Sequence, residues 1–219
     1  MNHRWLSLLV IAFITGIIFL FFWYRLQPVW TPEKAAEQNQ TTATEKITTP
    51  TVSFVNPKKG ASNPAITVVE FADYQCLPCR ELSINLDVLL RTIPEVQLVW
   101  KDLPNGSAHE LAVPSAVAGR CAAAQGKFWE YHDAIFDKQS FLSATILSST
   151  AQEVGLDTVK FQNCFDKQDT LPLVNKDLEE ATALQITATP TIFVGDERIT
   201  GVVSAEEIIS LVKTKMAQK

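Results

Sequence analysis

Two cysteines, Cys76 and Cys79, carry the clearest chemical signal in this sequence of 219 residues. They form a Cys-x-x-Cys tetrad directly behind an apolar run, residues 66–71, that has the pattern of a short buried strand. The residues that follow the tetrad, 80–90, have the pattern of an amphipathic helix. A cysteine at such a junction lies at a helix N-terminus, where unpaired N–H groups and the helix dipole favour a thiolate. A thiolate with a second thiol one turn away is the minimal equipment for thiol–disulfide exchange.

The rest of the chain alternates between strand and helix patterns. Apolar runs or alternation predict strands at 66–71, 96–100, 191–194 and 198–202. Apolar residues at three- and four-residue spacing predict helices at 80–90, 116–125, 127–137, 144–154, 157–166, 173–184 and 204–216. This order predicts an α/β fold with a block of helices inserted at about 107–185.

Three segments of the sequence resemble the DsbA-like thiol–disulfide oxidoreductases. They are residues 68–71 (Val-Val-Glu-Phe) followed by the tetrad, residues 125–133 (Gln-Gly-Lys-Phe-Trp-Glu-Tyr-His-Asp), and residues 189–191 (Thr-Pro-Thr). The resemblance covers roughly residues 56–213, which is almost all of the chain after its apolar N-terminus. It implies a thioredoxin-like fold with an inserted all-helical subdomain.

The resemblance also implies roles for the tetrad. Cys76 is expected to be the exposed sulfur of low pKa that forms the mixed disulfide with substrate, and Cys79 the second sulfur, which closes the disulfide or expels substrate. The pair is then its own redox group, and no cofactor is required. Leu77 and Pro78, between the cysteines, are expected to face the substrate. A purely structural disulfide is the alternative for this pair.

Two further positions follow from the same resemblance. The bond between Thr189 and Pro190 is expected to be cis and to lie opposite the tetrad, with Thr189 offering backbone groups to the substrate. Cis bonds are only about 5–6% of X–Pro bonds in folded proteins, so the alternative is an ordinary proline at the start of a strand.

Glu70 is a single acidic residue on an apolar strand, six residues before Cys76. Partial burial predicts a raised pKa for its carboxyl group. The resemblance implies that such an acid lies beneath the active site and assists proton transfer. Lys101, at the end of the second strand, is a candidate charge partner for it. A solvent-facing glutamate at a strand edge is the alternative.

The other two cysteines, Cys121 and Cys164, both fall in the predicted helical insertion. A disulfide between them would close a loop of about 40 residues and contribute nominally about 4 kcal/mol. Two buried free thiols are the alternative, and an oxidising compartment favours the disulfide. One Cys-x-x-Cys pair with the scattered histidines His109 and His132 does not supply the four close ligands of a zinc site, so no metal is expected.

The N-terminus has the pattern of a membrane anchor. Residues 5–24 contain no charge, and twenty apolar residues can span a bilayer core of about 30 Å. A cleaved signal peptide is the alternative, but the residues after the apolar run, 22–28, include no small-residue cleavage site. Residues 1–26 are therefore predicted to be a cytoplasmic stub and a single transmembrane signal anchor. Paired cysteines suit an oxidising space, which places the following domain on the extracytoplasmic side of the cell membrane.

Composition divides the rest of the chain. Residues 27–50 are rich in Thr, Gln, Ala, Glu and Pro, which predicts a flexible linker, and residues 51–219 form the folded domain. The net charge of −5 and the scattered basic residues exclude a nucleic-acid-binding surface.

These features predict an anchored thiol–disulfide oxidoreductase. Oxidation of cysteine pairs in unfolded or reduced exported proteins is the favoured activity, and it requires a quinone-linked membrane partner that reoxidises the dithiol. A reductase or isomerase is the first alternative, because a proline immediately before the second cysteine, as at Pro78, is the thioredoxin arrangement. A non-enzymatic anchored binding module is the second, and replacement of Cys76 by serine separates it from an enzyme.

Overall fold

The structure is a computed structural model that describes residues 3–26 and 47–218, with side chains from residue 13 onward. The chain divides into two compact units, Met1–Glu45 and Lys46–Lys219. The first unit contains helix α1, His3–Leu26. Among the described residues, no helix is both long enough and apolar enough to cross a membrane. The membrane anchor therefore stays a prediction from the sequence, and most of the predicted linker, 27–46, lies outside the described residues.

The second unit is built on a five-stranded sheet in the order β1-β3-β2-β4-β5. The strands are β1 (Lys58–Gly60), β2 (Ile66–Ala72), β3 (Val96–Asp102), β4 (Thr191–Val194) and β5 (Glu197–Thr200). Strands β2 and β3 are parallel, and the other neighbouring pairs are antiparallel. Strand β1 was not predicted, because its three residues, Lys-Lys-Gly, carry no apolar pattern; its pairing with β3 defines it.

The described residues of the second unit form seven α-helices, which pack on this sheet or form the insertion between β3 and β4. They are α2 (Leu77–Thr92), α3 (Ala112–Ala123), α4 (Phe128–Asp137), α5 (Ala144–Glu153), α6 (Thr158–Asp166), α7 (Leu171–Ala183) and α8 (Ala205–Ala217). A short 3₁₀ helix, Gln139–Phe141, follows α4. Helix α2 begins three residues earlier than predicted, because the carbonyl group of Cys76 already accepts the first helical hydrogen bonds.

The two faces of the sheet have different covers. On one face, Val68 of β2 packs in a core cluster with Leu82 of α2 and Ile208 of α8. On the other face, Phe71 of β2 packs in a cluster with Ala181 of α7. Side chains alternate along a strand, so each residue of β2 and β3 faces one side of the sheet or the other. Ala72 of β2 and Trp100 of β3 pack in a third cluster, which includes residues of the insertion.

A disulfide joins Cys121 of α3 to Cys164 of α6, with a Cα–Cα distance of 5.9 Å. The predicted pairing is present, and the alternative of two free thiols is wrong. The bond closes a sequence separation of 43 residues, for which the chain-entropy model gives about 4 kcal/mol. It holds together two helices of the insertion that lie far apart in the sequence.

A buried charge cluster connects the sheet to the insertion; we define it as Lys101, Asp102, Arg120, Asp177 and Glu180. The Lys101 ammonium lies 2.5 Å from the carboxylate of Glu180, and Arg120 donates to Asp102 at 2.5 Å and also to Asp177. Two cations face three carboxyl groups in this cluster. Burial and the neighbouring Asp102 carboxylate together raise the pKa of Asp177 to about 6.

Candidate active site

The two cysteines of the tetrad lie at the start of α2. Cys76 is the N-cap residue, and its carbonyl oxygen accepts hydrogen bonds from the backbone N–H groups of Cys79 (3.0 Å) and Arg80 (3.3 Å). Both cysteines are free thiols, so the structure shows the reduced pair. Only 6% of Cys76 is exposed, against 0% of Cys79. The prediction of an exposed Cys76 is therefore wrong, because Thr189 lies against its sulfur.

The thiols differ strongly in acidity. A hydrogen bond with the Cys79 side chain, assisted by one with the Thr189 side chain, outweighs burial and lowers the pKa of the Cys76 thiol to about 6. Burial raises the pKa of the Cys79 thiol, and the neighbouring Cys76 raises it further. At neutral pH the pair therefore consists of a Cys76 thiolate and a protonated Cys79, the arrangement that thiol–disulfide exchange uses.

The segment opposite the tetrad brings Thr189 next to the reactive sulfur. The Thr189–Pro190 peptide bond is cis. The backbone carbonyl oxygen of Thr189 lies 3.5 Å from Cys76 Sγ. Between the cysteines, Leu77 is 67% exposed and Pro78 is also exposed. The structure therefore brings Thr189, Leu77 and Pro78 together around Cys76.

Glu70 is more deeply buried than predicted, with 1% of its surface exposed. Its Oε1 atom has no hydrogen-bond partner among the described residues. Burial first, and then the nearby Cys76 and Asp87, raise the pKa of the Glu70 carboxyl group to about 8. The carboxyl group is therefore mostly protonated at neutral pH but titrates close to it, which suits it to give and take a proton.

Lys101 is not the partner of Glu70. The β2–β3 register pairs Glu70 with Trp100 and Phe71 with Lys101, so Glu70 and Lys101 lie on opposite faces of the sheet. The Lys101 ammonium pairs instead with Glu180 and Asp177. The prediction that Lys101 supports proton transfer is wrong, because it ignored the alternation of side chains along β3.

Replacement of Glu70 by glutamine is expected to flatten the pH dependence of stability. The folded-state pKa, about 8, lies above the ordinary glutamate value, so the folded state binds the extra proton and stability falls as pH rises from about 4.5 to about 8. Glutamine cannot ionise. We expect the variant to gain about 2–5 kcal/mol relative to the native chain between pH 5 and pH 9.

Urea unfolding of the oxidised full chain at pH 5, 7 and 9 measures this effect, since burial, its largest cause, does not depend on the redox state of the cysteines. Glu81→Gln, an exposed position on α2, is the matched control and should follow the native pH dependence. Parallel pH profiles for the native chain and Glu70→Gln would contradict the assignment of an ionisable buried Glu70.

Two site residues were missed in the sequence. The carboxylate of Asp73 accepts hydrogen bonds from the backbone N–H groups of Gln75 (2.8 Å) and Asn105 (2.9 Å) and lies 2.8 Å from His109 Nδ1. A polar residue directly after a buried strand was the available signal for Asp73. Gln139, which hydrogen-bonds to the backbone of the loop before α2, gave no local signal.

Comparison with known proteins places this geometry in a family. Residues 55–214 match the family model described as Thioredoxin. The chain belongs to the thioredoxin family. As the sequence resemblance implied, its helices α3–α7 form a helical insertion in a thioredoxin fold.

Two solved thioredoxin-family structures show the likeness. A thioredoxin-like oxidoreductase from Silicibacter pomeroyi is 27% identical, with a TM-score of 0.67 over 75% of this chain and 94% of that chain. The thiol-disulfide exchange protein alpha-DsbA2 from Wolbachia pipientis is 18% identical, with a TM-score of 0.68 over 74% of this chain and 88% of that chain, and shows the fold.

The curated relatives are longer proteins. A Na(+)/H(+) antiporter, NhaA 3, from Salinispora tropica is 30% identical over 159 residues, which are 73% of this chain and 24% of the antiporter. The chain thus spans about a quarter of the length of the curated relatives it matches.

Proposed function

We propose that this protein is a membrane-anchored, extracytoplasmic thiol–disulfide oxidoreductase that oxidises cysteine pairs in exported proteins. The observation that carries the proposal is the Cys76 thiol, whose pKa is lowered to about 6 beside a protonated Cys79. A stabilised thiolate favours the reduced form of the pair, so the corresponding disulfide is a stronger oxidant than one whose cysteine keeps an ordinary pKa. The DsbA-like fold supports the same class of reaction.

The proposed reaction starts from the oxidised pair. A substrate thiolate attacks Cys76 Sγ, the Cys76–Cys79 bond breaks, and Cys79 leaves as a thiolate that takes up a proton. A second substrate thiolate then attacks the substrate sulfur of the mixed disulfide and releases Cys76 as a thiolate. Two electrons pass from the substrate dithiol to the cysteine pair, and the substrate leaves with a disulfide.

Glu70 is proposed to exchange the proton at Cys79. Its pKa, raised to about 8, lets the protonated carboxyl group supply a proton as Cys79 leaves, and lets the carboxylate remove one when Cys79 attacks in the reverse direction. The Thr189 carbonyl group, 3.5 Å from Cys76 Sγ, is proposed to hold the substrate backbone beside the reacting sulfur.

Reduction or isomerisation of disulfides is the second candidate. Pro78 stands immediately before Cys79, the arrangement of thioredoxin, and the residues between the cysteines influence thiolate stability and with it the reduction potential. An oxidase needs a quinone-linked membrane partner to reoxidise the pair, whereas a reductase needs an electron donor.

The location is proposed from the sequence. Residues 5–24 carry no charge and are long enough to span a bilayer, and the cysteine pairs suit an oxidising space outside the cytoplasm. Alkaline carbonate extraction of cells that express the full chain tests the anchor: the protein should stay with the membrane pellet, and release into the supernatant would contradict it.

A single-turnover assay tests the activity. The oxidised full chain in detergent is mixed with an excess of a reduced peptide that contains two cysteines. We expect one peptide disulfide, and two new thiols on Cys76 and Cys79, for each chain. Protein whose reduced Cys76 and Cys79 were first alkylated, with Cys121–Cys164 intact, is the control. A peptide that stays reduced would refute the oxidase proposal.

A further inference from the structure

The side chain of Gln139 reaches from the helical insertion to the backbone of the active-site loop, which we define as residues 73–76. Gln139 lies in the 3₁₀ helix that follows α4, and only 7% of it is exposed. Its Nε2 atom donates one hydrogen bond to the Tyr74 carbonyl oxygen (2.8 Å) and one to the Cys76 carbonyl oxygen (2.9 Å). One amide group thus fixes two carbonyl groups directly before α2.

The orientation of this amide follows from its neighbours. Both atoms that face Nε2 are carbonyl oxygens, which only accept, so the opposite orientation would set Oε1 of Gln139 against two acceptors. In the orientation found, Oε1 is buried and accepts no hydrogen bond from the described residues. An unpaired buried acceptor costs about 1–3 kcal/mol. Gln139 therefore makes its two Nε2 hydrogen bonds with the active-site loop at the cost of an unpaired Oε1 atom.

The contact lies next to the reactive sulfur. The Cys76 carbonyl oxygen accepts from Cys79 N and Arg80 N as well, so Gln139 is a third donor to it. A carbonyl oxygen carries partial negative charge, which disfavours a thiolate on the same residue. The positive end of the Gln139 amide dipole offsets that charge in a buried site, where such dipoles act strongly.

The same segment also packs on the loop through side chains. The ring centroid of Phe136, in the last turn of α4, lies 5.2 Å from the ring centroid of Tyr74. The Gln139 amide therefore acts on a loop that α4 already holds in place. The insertion contacts both the backbone and a side chain of the segment that carries Cys76.

We propose that Gln139 is a positioning residue that stabilises the Cys76 thiolate through the Cys76 carbonyl group. It thereby raises the oxidising strength of the Cys76–Cys79 disulfide. The proposal rests on the proposed function, because it concerns the same cysteine pair. Gln139 acts on Cys76 through the backbone and not by contact with the substrate. The helical insertion then contributes directly to the redox chemistry of the sheet domain.

Gln139→Met tests the proposal in the full chain, since methionine has a similar length and no N–H donor. The thiolate absorbance at 240 nm is titrated in the reduced protein, and thiol–disulfide equilibrium is measured in glutathione buffers. We expect the thiolate-to-thiol ratio of Cys76 at a given pH to fall about three- to tenfold, and the equilibrium to shift toward the disulfide by a similar factor.

Gln75→Met is the matched control. It makes the same chemical change one residue from Cys76, and it also removes a link between the loop and the insertion, because Gln75 Oε1 accepts from Leu111 N at 2.6 Å. In that link the Gln75 side chain accepts a hydrogen bond, and it makes no hydrogen bond with the Cys76 carbonyl group. We expect its thiolate-to-thiol ratio to stay within about twofold of the native value.

An unchanged ratio in Gln139→Met, or equal shifts in the two variants, would overturn the proposal. If Gln139→Met does not fold, Gln139→Leu, which is uncharged and likewise has no N–H donor, is expected to shift the ratio in the same direction, and an unchanged ratio overturns the proposal equally. The titration uses no substrate. A native chain without exchange activity would refute the proposed function, whereas the titration alone decides the role of Gln139.

Discussion

Replacement of Cys76 by serine is expected to reduce thiol–disulfide exchange to background. Cys76 is the sulfur whose pKa is lowered to about 6 and the one that lies beside the Thr189 carbonyl group. A serine hydroxyl does not ionise at neutral pH and forms no disulfide, so neither the attack nor the mixed disulfide is available. The single-turnover peptide assay measures the loss.

Cys79→Ser is the matched variant for this prediction. It keeps the Cys76 thiolate but removes the sulfur that expels a bound substrate, so a mixed disulfide with a disulfide-containing peptide should accumulate and be visible by mass under non-reducing conditions. The same treatment of Cys76→Ser should give no adduct. Turnover by Cys76→Ser at the native rate would contradict the assignment of Cys76 as the reactive sulfur. A cellular function that does not need this sulfur would favour the anchored binding module.

Replacement of Arg120 by methionine is expected to have the largest effect on stability. Only 1% of Arg120 is exposed, and it pairs with Asp102 and Asp177 in the buried charge cluster. Removal of the cation leaves Asp102 without its cation and Asp177 with Lys101 alone, and the loss of one partner from a buried ion pair typically costs about 3–5 kcal/mol. Urea unfolding of the oxidised full chain at pH 8 measures the loss.

The pH dependence of this loss has a definite sign. The folded-state pKa of Asp177 is already raised to about 6, so its carboxyl group favours the protonated form in the folded protein, and stability falls as pH rises through that value. Without Arg120 the pKa of Asp177 in the folded protein should rise further, because a neighbouring positive charge is lost. The variant should therefore be less destabilised at pH 5 than at pH 8. Arg91→Met, an exposed position on α2, should stay within about 0.5 kcal/mol of the native chain. A loss below about 1 kcal/mol in Arg120→Met would contradict this account of the cluster.

The parts of the site that lie close together in the sequence could be predicted from it. The strand before the tetrad, the helix after it and the burial of Glu70 all follow from local apolar patterns, since a single acid on an apolar strand enters the core with its neighbours. The cis bond at Thr189–Pro190 was predicted through the family resemblance, not through local pattern.

The parts that depend on register or tertiary packing could not be predicted. Lys101 was assigned to Glu70 because both lie toward the C-terminal ends of their strands, but the register of β2 and β3 places their side chains on opposite faces of the sheet. The contact of Gln139 with Cys76 joins residues that are 63 positions apart, and no local pattern encodes it. Burial of Cys76 likewise depends on a segment, at Thr189, that comes from the far end of the chain.

The central claim is that the Cys76–Cys79 disulfide oxidises substrate dithiols, and the reduction potential of this pair tests it most directly. The full chain is equilibrated in glutathione buffers, and the thiols of Cys76 and Cys79 are counted by alkylation and mass, with Cys121–Cys164 as an internal reference. The Cys76 pKa of about 6 lies between the values of about 7 and about 3.5 that accompany potentials of about −270 mV and about −120 mV, so the account predicts a potential between these two limits. A potential near about −270 mV would contradict the account and assign the pair to disulfide reduction.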